Sequence, residues 1–339
     1  MGRHDPQPHP DQLSVAVATA RRPILLLVNP ISGGKPVAPG SAAERPEPAA
    51  MVDTLRRDGL AVDLHVLAES DDPGSLAKAA AAGERDVVVA GGDGTVRPAA
   101  TALVASSATL GIVPLGSWNN IARGAGIPQA PSAALDLVGA GGSRELDVGL
   151  AWHPADDQDP AGDPPGDATV FFEAAGVGLD AAGFGAAKVG DRHGTWSAIR
   201  HGWQALRLRR TPMRLTVDGR RLRTAAPAVT VCNGPYHGLG FAVAPDADPA
   251  DGLLDLVVFS GMGRLDVIRH FLAVARARPR REPRMRYLTA RRIRISSTGP
   301  LPVHGDGEPL GATPIEFAVR PGALRIFAPP GHGPQRART

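Results

Sequence analysis

A glycine-rich stretch near residue 90 has the residue types and the spacing of a phosphate-binding loop. The apolar run from Val87 to Ala90 predicts a strand buried on both faces. The residues that follow it are Gly91, Gly92, Asp93, Gly94 and Thr95, ahead of an Ala-rich, helix-compatible segment. Glycines leave no Cβ between the backbone amides and a ligand, so several N–H groups can converge on a phosphate beside a helix N-terminus. The stretch therefore predicts nucleotide binding, and the alternative is an ordinary strand-to-helix turn with many glycines.

Two more polar loops follow predicted strands. The strand from Pro23 to Val28 leads into a loop with Asn29, Ser32 and Gly33, and the strand from Leu110 to Val113 leads into a loop with Gly116, Ser117 and Asn119. In a parallel sheet the loops at the carboxyl ends of the strands meet in one crevice, where ligands bind. The sequence lacks a Gly-x-x-x-x-Gly-Lys-Ser/Thr motif and a Gly-x-Gly-x-x-Gly after a strand, which excludes a P-loop and weakens a dinucleotide-binding Rossmann assignment.

A pair of acids late in the chain could accept a proton. Asp306 and Glu308 flank Gly307, and in a strand their side chains would share one face. Two neighbouring carboxylates raise the pKa of one of them toward that of a usable base. The alternative is a polar hairpin tip, since Gly305-Asp306-Gly307 is also favourable turn chemistry.

The elements that position these residues divide the chain into two parts. Strands alternate with helices up to about residue 145, which predicts an α/β domain with a parallel sheet and right-handed crossovers. Short apolar runs and turns dominate afterwards, with an Asp218-Gly219 hairpin signal, so the second part is predicted to be mainly antiparallel β-sheet with two helices, at 195–210 and 264–278. The predicted limits are a disordered leader at 1–20, the α/β domain at 21–145, the β-rich domain at 146–329 and a disordered tail at 330–339.

The composition restricts the cellular compartment and the kinds of binding partner. The 339 residues include one cysteine, Cys232, which excludes an internal disulfide and fits a reducing, cytoplasmic compartment. No apolar run approaches the length of a membrane span. The segment from Arg276 to Arg294 contains nine arginines and a single acid, Glu282. This density of positive charge suits binding to anionic lipid headgroups or nucleic acid. The alternative is a solvated surface, which gives the same pattern.

Four separated motifs occur in one recognisable order. They are Asn29-Pro30-x-Ser32-Gly33, Gly91-Gly92-Asp93-Gly94-Thr95, Pro114-Leu115-Gly116-Ser117-x-Asn119 and Asp306-Gly307-Glu308-Pro309. Together they resemble the diacylglycerol kinase catalytic-domain family, in particular its soluble bacterial lipid kinases, over nearly the whole chain from Pro23 to Pro329. The resemblance implies an N-terminal α/β nucleotide domain related to the phosphofructokinase and NAD kinase fold, then a β-sandwich-like domain, with the active site between them. The last strands are expected to be able to return to the first domain.

The same resemblance implies roles for individual residues. Asp306 would be the general base with Glu308 beside it, and Asp93 would contact the magnesium-bound nucleotide or act as a second proton acceptor. A structural Mg²⁺ site would use Asp248, Asp251 and Leu253. The residues implied in nucleotide binding are Asn29, Ser32, Gly33, Gly91, Gly92, Asp93, Gly94, Thr95, Val96, Arg97, Gly116, Ser117 and Asn119.

The sequence also departs from the family pattern. Arg97 and Pro98 replace a common Asn and Glu, and Asn120 replaces the common Asp after Asn119. Pro98 near the first helical turn is tolerable, because the early N–H groups of a helix have no intrahelical partner. Arg97 could supply positive charge to the phosphates. We therefore still expect the protein to bind ATP, whereas the expectation of catalytic turnover is weakened by these replacements.

The leading hypothesis is an ATP- and Mg²⁺-dependent lipid kinase that transfers the γ-phosphate to a diacylglycerol-like or sphingoid hydroxyl. We expect the protein to be cytoplasmic and to contact the anionic inner face of the membrane peripherally. We expect no nucleic acid partner. The sequence is compatible with a homodimer but does not predict one. The alternatives are an NAD kinase-like enzyme and a catalytically degenerate protein that binds nucleotide or lipid.

Overall fold

The computed structural model describes residues 21–32, 45–155, 163–179, 210–238, 240–263, 265–266 and 282–329. The predicted leader, the predicted tail and Gly33 lie outside these ranges, as do nearly all residues of the two helices predicted at 195–210 and 264–278. Among the described residues, no helix combines the length and the apolar character that crossing a bilayer requires.

The described residues of the N-terminal part form four parallel strands and five helices. The strands are β1 Ile24–Val28, β2 Val62–Val66, β3 Asp86–Gly91 and β4 Thr109–Pro114, in the spatial order β2-β1-β3-β4. The helices are α1 Pro48–Arg57, α2 Pro73–Ala82, α3 Asp93–Leu103, α4 Asn120–Gly124 and α5 Pro131–Ala140. The central strands β1, β3 and β4 are apolar and almost entirely buried, as expected for parallel strands covered on both faces. The order places the ends of β1, β3 and β4 side by side.

Local chemistry sets several of these boundaries. Pro48 and Pro73 occupy the first turns of α1 and α2, where a missing N–H costs nothing. Asp72 caps α2 by accepting from the N–H groups of Gly74 and Ser75. Helix α3 begins at Asp93, directly after Gly92, and so includes Gly94 and Thr95, which the sequence placed ahead of the helix. The glycine stretch is therefore the helix N-terminus itself.

Of the remaining strands, two pair with each other in a small separate sheet, and the others extend the first sheet or build a second one. They are β5 Ser143–Trp152, β6 Thr169–Phe171, β7 Ala174–Gly178, β8 Thr211–Val217, β9 Arg220–Ala226, β10 Ala228–Cys232, β11 Tyr236–His237, β12 Phe241–Ala242, β13 Leu254–Val258, β14 Arg286–Ala290, β15 Arg292–Ser297, β16 Pro302–Gly305, β17 Glu308–Ala312 and β18 Ile315–Phe327. The first sheet continues as β4-β18-β15-β8-β9, with β5 paired to β18 and β6 to β5. The second sheet is antiparallel, in the order β14-β13-β10-β7-β16-β17.

The two sheets enclose a common core. One cluster of buried side chains contains Leu215 and Ile293 from the first sheet together with Val177 and Val229 from the second. Phe171 and Phe317 meet edge to face in this core, with ring centroids 6.1 Å apart. The strands therefore form a β-sandwich, and the predicted fold class is confirmed.

Strand β18 joins the two parts of the molecule. It pairs in parallel with β4 at Arg325 and Ile326, and it pairs antiparallel with β15 and β5. The predicted boundary at residue 145 falls inside β5, which the sequence analysis did not identify, and α5 was not identified either. The hairpin prediction at Asp218-Gly219 is confirmed, since both residues have positive φ between β8 and β9.

Candidate active site

The loop after β3 and the loop after β4 touch through glycines. A Cβ on Gly116 would lie 2.5 Å from the Gly92 Cα, and a Cβ on Gly91 would lie 2.9 Å from the Thr95 Cβ. Neither position has room for a side chain, so glycine is required by packing. We call Gly91, Gly92, Asp93, Gly94, Thr95 and Gly116 the glycine cradle.

The loop after β1 is fixed to this glycine cradle. The Asn29 side-chain amide donates to the Thr95 hydroxyl oxygen at 2.8 Å, while the Asn29 Oδ1 accepts from the Ile31 N–H at 3.0 Å. The Ser32 N–H donates to the Asn29 carbonyl at 3.4 Å. The three polar loops predicted to share a crevice thus lie together.

The residues predicted to bind nucleotide differ in their solvent exposure. Gly94 and Ser117 are exposed at this edge of the sheet. Val96 is buried in the hydrophobic core, so only its backbone could face a ligand. Asn119 adopts a left-handed conformation, and its side chain bonds to the Gly116 N–H and carbonyl at 2.8 and 2.9 Å. Asn119 therefore shapes its loop, whereas Gly94 and Ser117 are accessible.

Asp93 connects the start of α3 to the start of α4. Its two carboxylate oxygens accept from the N–H groups of Asn120 at 3.0 Å and Ile121 at 3.2 Å. Burial raises the pKa of Asp93, and the backbone N–H donors oppose this shift. An acid in the first turn also complements the helix dipole of α3.

Asp306 lies at the tip of the hairpin between β16 and β17. It has a φ of 48°, and its carboxylate accepts from the N–H groups of Phe172 at 2.8 Å, Glu173 at 2.9 Å and Ala174 at 3.2 Å. These donors lie where the chain passes from β6 to β7, so the break between the two strands turns all three N–H groups toward Asp306. Burial raises the pKa of Asp306, while the three N–H groups and the Arg97 charge lower it.

An ion pair closes the hairpin onto the glycine cradle. The Arg97 guanidinium, in the first turns of α3, contacts the Glu308 carboxylate at 2.8 Å. It also donates to the Asp306 carbonyl at 3.4 Å. The predicted base and the predicted phosphate-binding loop are therefore neighbours, although they are separated by about two hundred residues in sequence.

Glu173 is a further acid at this site that the sequence analysis did not identify. Its side chain is buried, and its Oε2 accepts from the Asn120 Nδ2 at 3.0 Å and from the Gly238 N–H at 3.1 Å. Burial raises the pKa of Glu173 well above its usual value, and the charges of Asp306 and Asp93 raise it further. A lone acid inside an apolar run was the signal for it in the sequence. We call Asp93, Glu173 and Asp306 the acid cluster.

The residues predicted to bind structural Mg²⁺ lie in the turn before β13. Asp248 accepts from the Ala250 N–H at 3.1 Å and Asp251 from the Leu253 N–H at 3.0 Å. Asp147 accepts from the Gly252 N–H, and its pKa is raised by burial and by the charge of Asp248. Within the described ranges, no group of three or more His, Cys, Asp and Glu side chains is arranged to hold a metal. The turn nonetheless offers only oxygen donors from carboxylates and carbonyls, the set that Mg²⁺ prefers.

Comparison with known proteins adds to this geometry. Residues 23–151 match the family description "Diacylglycerol kinase catalytic domain", and residues 175–328 match "YegS C-terminal NAD kinase beta sandwich-like domain". A Pseudomonas putida protein named "Probable lipid kinase YegS-like" is 30% identical over 308 residues, covering 86% of this chain and 94% of the relative. A "Diacylglycerol kinase" of Mycobacterium tuberculosis H37Rv is 29% identical over 317 residues, covering 90% and 95%.

A solved structure has the same fold. The crystal structure of a diacylglycerol kinase from Bacillus anthracis str. Sterne aligns with a TM-score of 0.67 and 21% identity, over 92% of this chain and 98% of that one. At this level of sequence identity, the similarity shows a shared fold.

Proposed function

The chain belongs to the diacylglycerol kinase catalytic-domain family, and we propose that it is a lipid kinase that transfers the γ-phosphate of ATP to a lipid hydroxyl. The family resemblance predicted from the sequence is confirmed. The acceptor that we propose is a diacylglycerol-like or sphingoid lipid, and the phosphoryl donor is magnesium-bound ATP.

The observation that carries the proposal is the contact between Arg97 and Glu308 at 2.8 Å. This ion pair holds the Asp306 hairpin against the N-terminal turn of α3, where the N–H groups and the helix dipole favour a phosphate. A phosphate at the glycine cradle and a hydroxyl beside Asp306 could therefore meet in one cleft.

The proposed reaction is a single phosphoryl transfer. The lipid hydroxyl oxygen forms a bond to the γ-phosphorus, the bond from that phosphorus to the bridging oxygen breaks, and ADP leaves with the electron pair. The Asp306 carboxylate accepts the hydroxyl proton. Arg97 and the glycine cradle orient and neutralise the phosphate oxygens, and Asp93 holds the adjacent turn of α4 in place. Bound Mg²⁺ would supply charge neutralisation to the phosphates.

We assign a separate structural Mg²⁺ to the turn with Asp248, Asp251 and Leu253. Asp147 lies beside it, and the repulsion between Asp147 and Asp248 would be relieved by a cation. Such an ion would fix the turn that leads into β13 and would take no part in bond making.

The test offers labelled ATP and Mg²⁺ with separate vesicles containing diacylglycerol or a sphingoid base, and with NAD in solution. Label in a lipid supports the proposal and identifies the acceptor class. Label in NAD alone selects the NAD kinase-like alternative. ATP binding without transfer to any acceptor in a total lipid extract selects the degenerate binder.

Peripheral contact with an anionic membrane face, in the cytoplasm, is part of this proposal. Several arginines of the run from Arg276 to Arg294 are paired: Arg284 contacts Glu282 and Asp266, and Arg292 and Arg294 contact Glu316. Residues 267–281 lie outside the described ranges, and we propose that the membrane contact uses arginines between Arg276 and Arg286 other than the paired Arg284. Replacing them should weaken binding to anionic vesicles more at low salt than at high salt, and unchanged binding would assign the run to a solvated surface.

A further inference from the structure

The acid that the loop after β4 lacks is present nearby, on another element. Asn120 replaces the aspartate that the family resemblance leads us to expect, and its side-chain amide donates to the Glu173 carboxyl at 3.0 Å. Glu173 comes from the break between β6 and β7, on the other side of the site. The inference that follows rests on the proposed function.

Hydrogen bonds link Glu173 to both other members of the acid cluster. Its backbone N–H donates to Asp306 Oδ1 at 2.9 Å. Its side chain is bonded to Asn120, whose backbone N–H donates to Asp93 Oδ2 at 3.0 Å. Glu173 therefore lies between the carboxylate at the phosphate-binding helix and the carboxylate at the hairpin tip.

The surroundings of Glu173 favour a proton on it. The residue is 8% exposed, and its Oε2 already accepts from Asn120 and Gly238. The buried Oδ1 atoms of Asn120 and Asn233 have no hydrogen-bond partner among the described residues, and both residues line a cavity of about 20 Å³ beside Glu173. Buried acceptors require a donor, which a carboxyl O–H or one water in this space can supply.

We propose that Glu173 is a positioning residue for phosphoryl transfer, which holds a proton beside Asp306 and supplies the acid group that the loop after β4 lacks. When Glu173 is neutral, Asp306 is free to be the ionised base, since two buried neighbouring carboxyl groups do not both ionise readily. When Glu173 ionises at higher pH, it adds a negative charge close to the phosphate groups.

Several other charged or titratable groups face this position. Asp93 and Asp306 act on Glu173 directly, and Arg97 acts on Asp306. His237 and His304 are buried and stacked, with ring centroids 6.5 Å apart, next to Gly238 and two residues before Asp306. A change in pH dependence must therefore be traced to Glu173 by substitution.

The first measurement needs no kinase activity. Glu173→Gln keeps an oxygen that can accept from Asn120 and Gly238 but cannot ionise. Because burial raises the pKa of Glu173 in the folded state, the folded protein binds more protons than the unfolded chain above the usual glutamate pKa, so stability falls as pH rises there. The melting temperature of E173Q relative to the wild type should therefore increase from pH 5 to pH 9. A constant difference would overturn the proposal.

The second measurement compares rates. At neutral pH, E173Q should keep kcat within about threefold, whereas Glu173→Ala, which leaves the Asn120 and Gly238 donors unpaired, should lower it about tenfold or more. The alkaline decline of kcat/KM should be weaker in E173Q and unchanged in the control Glu145→Gln, at an exposed residue paired with Arg325. An E173Q profile identical to the wild type, or E173Q as inactive as E173A, would overturn the proposal.

The double variant Asn120→Asp with Glu173→Gln places the acid on the loop side of the same hydrogen bond. In a folded double variant we expect the alkaline decline of kcat/KM to return. If it does not return, Glu173 does not supply the acid group that the loop after β4 lacks. If the wild type transfers phosphate to no acceptor, the proposed function fails, while the stability measurement still decides whether Glu173 holds a buried proton.

Discussion

The two walls of the proposed active site present different chemical groups. The glycine cradle presents backbone and leaves no space for a Cβ at Gly91 or Gly116. The opposite wall presents acids, with Asp306 held by three backbone N–H groups and Glu173 by two N–H donors. The first wall is suited to binding phosphate and the second to handling a proton. Substitutions in the first should therefore affect ATP affinity, and those in the second should affect turnover.

The largest effect should come from Asp306→Asn. An amide cannot accept the hydroxyl proton at neutral pH, so kcat should fall by about 10²–10⁴-fold. ATP affinity, measured by calorimetry, should stay within a few fold, because the glycine cradle is unchanged. One amide N–H would face the Asn side-chain NH₂, so the melting curve serves as the control. Joint loss of ATP affinity and folding would show that Asp306 is structural.

Gly116→Ala tests the other wall. Its Cβ would lie 2.5 Å from the Gly92 Cα, so the loops must separate, at a cost of about 1–3 kcal/mol in folding free energy. We expect ATP affinity to fall about tenfold or more, with a smaller effect on the pH profile. Gly94→Ala is the matched variant, since its Cβ would meet no described atom within 4 Å. Equal melting temperatures for G116A and G94A would contradict the close packing.

Variants of the Arg97–Glu308 ion pair test whether activity depends on the contact between the two walls. Its side chains are 26% and 43% exposed, so solvent screening limits the direct coupling to about 0.3–1 kcal/mol. Arg97→Ala and Glu308→Gln, alone and combined, form a double-mutant cycle on kcat/KM. We expect each single variant to lose activity and the double variant to lose less than their sum. Strict additivity would mean that the two residues act separately.

The smallest effect concerns the turn away from both walls. Mg²⁺ at about ten times its Kd would stabilise the folded chain by about 1.4 kcal/mol, which moves the melting temperature of a protein this large by a few degrees. Asp248→Asn should reduce this shift, while Glu145→Gln should not. A shift of the same size in D248N would place the ion elsewhere.

Sequence patterns predicted the parallel strands, the polar loops after β1, β3 and β4, and the hairpin at Asp218-Gly219, because each depends on residues close together in the chain. They did not predict β5 or α5. They did not predict the break between β6 and β7 that supplies the N–H donors for Asp306 either, since the apolar character of the sequence continues across it. The predicted roles of the site residues stay predictions.

The sequence by itself determined the glycine-rich turn between β3 and α3, since glycines directly after a buried apolar run indicate a tight turn from strand to helix. It also determined the family, through the order of four motifs. Only the tertiary structure decided which acids meet. The Arg97–Glu308 contact spans 211 residues and the Asn120–Glu173 contact spans 53. Burial and proximity, which set the pKa of Glu173 well above its usual value, arise only when β7, the hairpin and α4 pack together.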